Sequence, residues 1–121
     1  MNKILIVDDD PALSLYYQEE FIEEGYDVIT SEDYEHCMRD IVSFNPDLVL
    51  LTVDERRGDG LEKLQEIRNT YYDLAVILSA HDPHVKYDPR CMAADYIVLK
   101  NSDVAELKRK VLMAFDARAG N

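Results

Sequence analysis

Six side chains of this chain could act together on a charged group: Asp8, Asp9, Thr52, Asp54, Ser79 and Lys100. Asp8 and Asp9 are adjacent carboxylates. Such a pair suits a hard cation such as Mg2+, which takes one or two carboxylates and keeps several waters. A phosphoryl group beside them would have its charge offset by the cation and by the Lys100 ammonium. The Ser79 hydroxyl could donate to one phosphoryl oxygen. The set lacks a good nucleophile. Thr52 stands where one is wanted, and a threonine hydroxyl without a dedicated base is far weaker than an ionised carboxylate. Asp54 could ligate the cation through its carboxylate or carbonyl. As a replacement nucleophile it is badly placed, roughly 6–7 Å further along an extended chain.

These residues matter only if the fold brings them together. "KILIV" (3–7) is a short apolar, β-branched run stopped by "DDDP". Asp10 is a good helix N-cap and Pro11 suits a first helical turn. Leu13, Tyr16, Tyr17, Glu20 and Phe21 follow at helical spacing, with Gly25 as the stop. "YDVIT" (26–30) predicts a second strand, and Tyr34, Cys37, Met38 and Ile41 a second helix. "DLVLL" (47–51) shows no polar alternation, the mark of a strand buried on both faces. Gly58 and Gly60 open the next loop, before a third helix carrying Leu61, Leu64 and Ile67. "LAVILS" (74–79) and "DYIVL" (95–99) predict the fourth and fifth strands. Asp103 and Glu106 have the spacing of a capping box, ahead of a last helix with Val104, Leu107, Val111 and Phe115 inward. Between the last two strands, Pro83 and Pro89 oppose a long helix. Asp88 as cap with Pro89 behind it predicts a short helix ending near Ala94.

Strands alternating with helices imply an α/β fold, a doubly wound five-stranded parallel sheet in three α/β/α layers. Such sheets place their sites at the carboxyl ends of the strands. The six residues lie at or just past those ends, so they are expected to converge at one edge.

With these motifs in order, the whole chain resembles the receiver domain of bacterial two-component response regulators, of the chemotaxis-regulator type. The resemblance is carried by "ILIVDDDP", "PDLVLL", "DGLEKLQEIR", "VILSA" and the series K-N-S-D-x-x-E-L-K-x-K-V from Lys100. It implies a flavodoxin-like fold with strand order 2-1-3-4-5, one receiver domain over residues 1–121, and a role in phosphorelay signal transduction. It implies that Asp8 and Asp9 belong to a Mg2+-binding acidic pair, that Ser79 is the switch hydroxyl, and that Lys100 is the phosphate-facing lysine. The partner it implies is a sensor histidine kinase or phosphotransfer protein.

The chain also departs from that family. The family's phosphoacceptor aspartate lies seven residues before the Asp-Gly that is here Asp59-Gly60, and that position is Thr52. The substitution removes the nucleophile and one metal ligand. The expectation is therefore an impaired phosphoacceptor site, Mg2+ binding that is weak or lost, no enzymatic activity, and action through protein–protein contact. Glu55-Arg56 replaces the usual Met-Pro, and Asn101 replaces the proline after the lysine. Three residues before Lys100, where a switch Tyr or Phe is usual, stands Ile97, with Tyr96 beside it.

Composition narrows the alternatives. Thirteen Lys and Arg against 25 Asp and Glu give a formal charge of −12, which repels nucleic acid and anionic membrane surfaces. Direct nucleic-acid binding and membrane binding are not expected. Cys37 and Cys91 form no metal pattern and read as small apolar residues of a reducing compartment. "MNKILIV" is too short for a signal peptide or a membrane span, so a cytoplasmic location is expected. His81 and His84 with Asp82 lack a third firm metal ligand. The competing enzyme reading is a small haloacid-dehalogenase-like phosphatase using Asp8 and Asp10. Against it, no acidic pair follows Lys100 and no cap domain fits in 121 residues. A flavodoxin-type cofactor site fits worse, because three aspartates after the first strand would repel phosphate.

Overall fold

The five apolar runs pair into one parallel sheet in the order β2-β1-β3-β4-β5, the order expected. In the computed structural model of the protein, residues 2–54, 60–100 and 103–119 are described. The strands are β1 (Lys3–Val7), β2 (Asp27–Ser31), β3 (Leu48–Val53), β4 (Ala75–Ala80) and β5 (Tyr96–Leu99). They alternate with α1 (Pro11–Glu23), α2 (Tyr34–Phe44), α3 (Gly60–Thr70) and α4 (Val104–Ala119). Every residue of β3 and β4 is buried, as runs without polar alternation require. One face of the sheet packs Leu5, Leu51 and Leu78 against Cys37, Ile41, Leu64 and Ile67 of α2 and α3. The other packs Ile6, Leu50 and Ile77 against Phe21, Leu107 and Val111 of α1 and α4. Each large side chain taken fully out of water here contributes about 1.5–3 kcal/mol.

Local signals set most element ends. The Asp10 carboxylate accepts from the N–H groups of Ala12 and Leu13, with Pro11 opening α1. Gly25, at φ +97°, turns the chain after that helix in a region that costs glycine little. Two caps were not read from the sequence. Asp33 accepts from the His36 N–H at the start of α2, and Asn45 in the left-handed region ends it.

Three expectations need correction. First, β3 and β4 run one or two residues past their apolar cores, so Thr52 and Ser79 are register partners inside the sheet. The continuing backbone ladder, rather than hydropathy, sets those ends. Second, the segment before β5 is two 3-10 helices, Pro83–Tyr87 and Pro89–Ala93. Asp82 caps the first and Asp88 the second, so the Asp-Pro device read at residue 88 is used twice. Pro89 has no N–H to bond back into the preceding turn, which divides the segment. Third, Asp103 caps α4 through the Ala105 N–H, but Glu106 pairs with Arg109 and Lys110 instead of completing a box. The departures at Glu55, Arg56 and Asn101, and the loop residues Gly58 and Asp59, lie outside the described residues.

At the amino edge of the sheet Asp95 gathers several elements. Its carboxylate accepts from the Val76 N–H at 2.8 Å, from Arg68 at 3.2 Å and from Arg118 at 3.0 Å. Both guanidinium groups also donate to the Leu74 carbonyl. Asp95→Ala strands two partly buried cations and a strand N–H. The expected loss is about 1–3 kcal/mol of stability. It should appear as a lower urea midpoint at unchanged m-value.

Candidate functional site

Asp8 stands just past β1 with its side chain fully buried, and three donors hold it. Oδ1 accepts from Lys100 Nζ at 3.1 Å and from the Asp10 N–H at 2.9 Å. Oδ2 accepts from Thr52 Oγ1 at 3.0 Å. Lys100, just past β5, has a side chain only 4% exposed, so the ion pair is dry on both sides. Burying two charges costs several kcal/mol per ion, and only good geometry with further hydrogen bonds offsets that. The Thr52 hydroxyl and the Asp10 amide supply those bonds. Helix hydroxyls hold the neighbouring backbone: Ser14 Oγ donates to the Asp8 carbonyl at 3.3 Å and Tyr17 Oη to the Lys100 carbonyl at 3.4 Å.

Ser79 is next to Thr52 across the β3–β4 ladder and 1% exposed. Its Oγ has no hydrogen-bond partner among the described residues. A buried hydroxyl left unpaired costs free energy and asks for an explanation. Asp9 and Asp54 line a cleft of about 310 Å3 together with Asp8, Glu32, Tyr34 and Thr52. The geometry thus brings all six candidate residues to the carboxyl edge of the sheet.

Tyr34 was read only as part of a helical stripe. Its hydroxyl donates to the Thr52 carbonyl at 2.6 Å, and the Asp54 N–H donates to Tyr34 Oη. Its place directly after the Asp33 cap, and so at the carboxyl edge, was the signal available in the sequence. Burial pushes the phenol up to about 12, and the charges of Asp9, Asp54 and Asp8 add to this. The proton is therefore held more tightly in the folded state than in the unfolded one, whose tyrosines ionise near 10. Tyr34 stabilises the fold fully below pH 10, and that contribution is lost as pH rises toward 12. Burial also raises the phenols of Tyr17 and Tyr26, so ultraviolet titration should show several tyrosines ionising late, and Tyr34→Phe should remove one of them, the one near 12.

Asp8 is poorly disposed to hold Mg2+, because Lys100 and Thr52 already engage both its oxygens. Among the described residues no three of His, Cys, Asp and Glu converge as a metal-binding set. The phosphatase reading meets a similar obstacle, since Asp10 is committed as a cap to two amides. His84 pairs with Asp82 in its own turn and is solvent-exposed. Cys37 and Cys91 are buried and free, and burial pushes the Cys37 thiol up to about 11. Ile97 packs on the α2–α3 face, whereas Tyr96 turns to the opposite face, its ring 5.2 Å from Lys110 Nζ. No helix among the described residues is long and apolar enough to cross a membrane.

Comparison with known proteins agrees with this geometry. Residues 4–112 match the response regulator receiver domain family. The chain is 38% identical to the response regulator protein TrrA from Thermotoga maritima, solved in complex with Mg2+ and BeF. That match covers 94% of this chain and 99% of the other at a TM-score of 0.88. TrrA bound to the histidine kinase ThkA superposes at a TM-score of 0.86. Among curated relatives, the transcriptional regulatory protein CpxR of Escherichia coli is 36% identical over 80 residues. Those residues are 66% of this chain and 34% of CpxR. A putative transcriptional regulator of Pseudomonas aeruginosa is 28% identical over 110 residues, or 88% of this chain and 53% of the relative. The chain thus spans about a third to a half of these curated relatives.

Proposed function

Because this chain belongs to the response regulator receiver domain family of two-component systems, we propose that it is a receiver whose acceptor site is closed, and that it signals by docking a protein partner. The observation that supports this is the capture of Asp8 between Thr52 Oγ1 and Lys100 Nζ. In a receiver that carries a third carboxylate, the lysine and a cation must balance three negative charges. With Thr52 in that place, Lys100 neutralises Asp8 directly and leaves little demand for a metal. Asp9 and Asp54 remain as weak ligands for Mg2+. The partner is a histidine kinase, a phosphotransfer protein or another protein that recognises the receiver surface. TrrA, whose complex with a histidine kinase is known, makes the first of these the leading choice. Neither catalytic turnover nor direct nucleic-acid contact by this acidic chain is part of the proposal.

The test is intact mass after treatment with acetyl phosphate and Mg2+. The protein should keep its mass. Stoichiometric gain of one phosphate, mapped to Thr52 or Asp54, would overturn the reading. In parallel, Mg2+ titration should show no saturation in the micromolar range. Micromolar affinity would mean that another ligand replaces the missing carboxylate.

A further inference from the structure

We infer that the cleft at the amino edge of the sheet is a docking site for a basic, partly apolar protein segment, one that sets arginine beside an apolar side chain. This face lies at the opposite edge from Asp8, Thr52 and Lys100, so the inference stands whether or not the acceptor site is closed. The cleft holds about 740 Å3 and is built from the residues leading into β2, β3 and β4 and from the last turns of α4. Its deeper lining is aromatic. Phe115 is 9% exposed, its ring centroid lies 5.4 Å from that of Tyr26, and Tyr26 in turn lies 6.0 Å from the fully buried Phe21. Two large side chains on the same cleft are left in water, Tyr72 at 81% exposure and Leu112 at 54%. Apolar anchors within a polar rim are the anatomy of a protein interface, where tyrosine is enriched. The walls are fixed in advance. The Asp47 N–H donates to the Lys3 carbonyl at 2.8 Å, and Arg118 donates to the carbonyls of Asp73 and Leu74, tying the entry to β4 onto α4. A preformed site loses less ordering entropy on binding.

Charge selects the occupant. Asp47, Asp73 and Asp116 are exposed carboxylates on the cleft. Arg118 lines it too, but its guanidinium is paired with Asp95 at 3.0 Å. A second copy of this chain, or a nucleic acid, would bring more negative charge to a protein that already carries a formal −12. A guanidinium suits both features of the cleft, because it pairs with carboxylates through planar N–H donors and stacks on tyrosine faces.

The probe is a short capped peptide of arginine, leucine and serine, compared with a second peptide in which glutamate replaces each arginine. Each is titrated into the isotopically labelled full chain at low salt, and amide chemical shifts are followed. The arginine peptide should give saturable shifts centred on residues 45–47, 71–74 and 112–118, and the glutamate peptide none. Tyr72→Ser, a change at an exposed side chain, should weaken binding about fivefold or more. Asp73→Asn with Asp116→Asn should weaken it about threefold to tenfold. Glu19→Gln with Glu35→Gln, an equal change of charge at exposed helix positions outside the cleft, should leave it within about twofold. Shifts centred on the carboxyl edge, equal loss from both charge pairs, or indifference to Tyr72→Ser would overturn the inference, because each describes a cation held by net charge alone. Absence of saturable shifts would overturn it too. So would concentration-dependent shifts of the same residues without peptide, which would mean that a second copy fills the cleft. None of these outcomes bears on the mass-spectrometric test of the closed receiver.

Discussion

Treated with acetyl phosphate and Mg2+, the Thr52→Asp protein is expected to gain the mass of one phosphate, where the Thr52 protein gains none. A carboxylate needs no base: its oxygen forms a bond to phosphorus, the bond from phosphorus to the acetyl oxygen breaks, and acetate leaves with the electron pair. A threonine hydroxyl must also lose its proton, and the carboxylate it faces is already neutralised by Lys100. The new acidic group would crowd Asp8, loosen the Asp8–Lys100 pair and free the lysine to meet a phosphoryl oxygen. Ser79, its register partner on β4, waits with a hydroxyl unpaired among the described residues. Peptide mapping should place the phosphate at position 52. A folded Thr52→Asp protein that never labels would count against receiver chemistry in this chain altogether. Relay of the signal to the segment before β5 should stay poor, because Ile97 offers no aromatic ring on that face.

The second large effect is on stability. Lys100→Met should cost about 3–5 kcal/mol, because it leaves the Asp8 carboxylate buried without its cation. Thr52 and the Asp10 amide still donate to it, but neither carries a charge. Adding Asp8→Asn should recover part of the loss, and the double-mutant cycle in urea unfolding reads the coupling directly. The contrast is Lys63–Glu66, an ion pair on α3 whose glutamate side chain is 52% exposed. Breaking that pair should cost about 0–1 kcal/mol. A Lys100→Met loss as small as this would mean that the site is hydrated and that Asp8 is not locked.

The sequence by itself determined those features whose physics is local. Apolar runs without alternation specify strands buried on both faces, and β1, β3 and β4 formed where those runs lie. Asp10-Pro11 and Gly25 bound α1 because a cap acts within three or four residues. The family motifs added the strand order and named the residues to watch, including Thr52, where the resemblance leads one to expect a carboxylate. Tertiary structure decided the rest. Thr52 reaches Asp8 across 44 residues of chain and Lys100 reaches it across 92, so no local pattern could say which aspartate the lysine would choose. Tyr34 has the spacing of an ordinary core residue of α2. Its hydroxyl became part of the site only when β3 presented a carbonyl and α3 a glycine beside it. Hydrophobic period and capping report one element at a time, whereas the closure of this site is a property of three strand ends and a helix meeting at one edge.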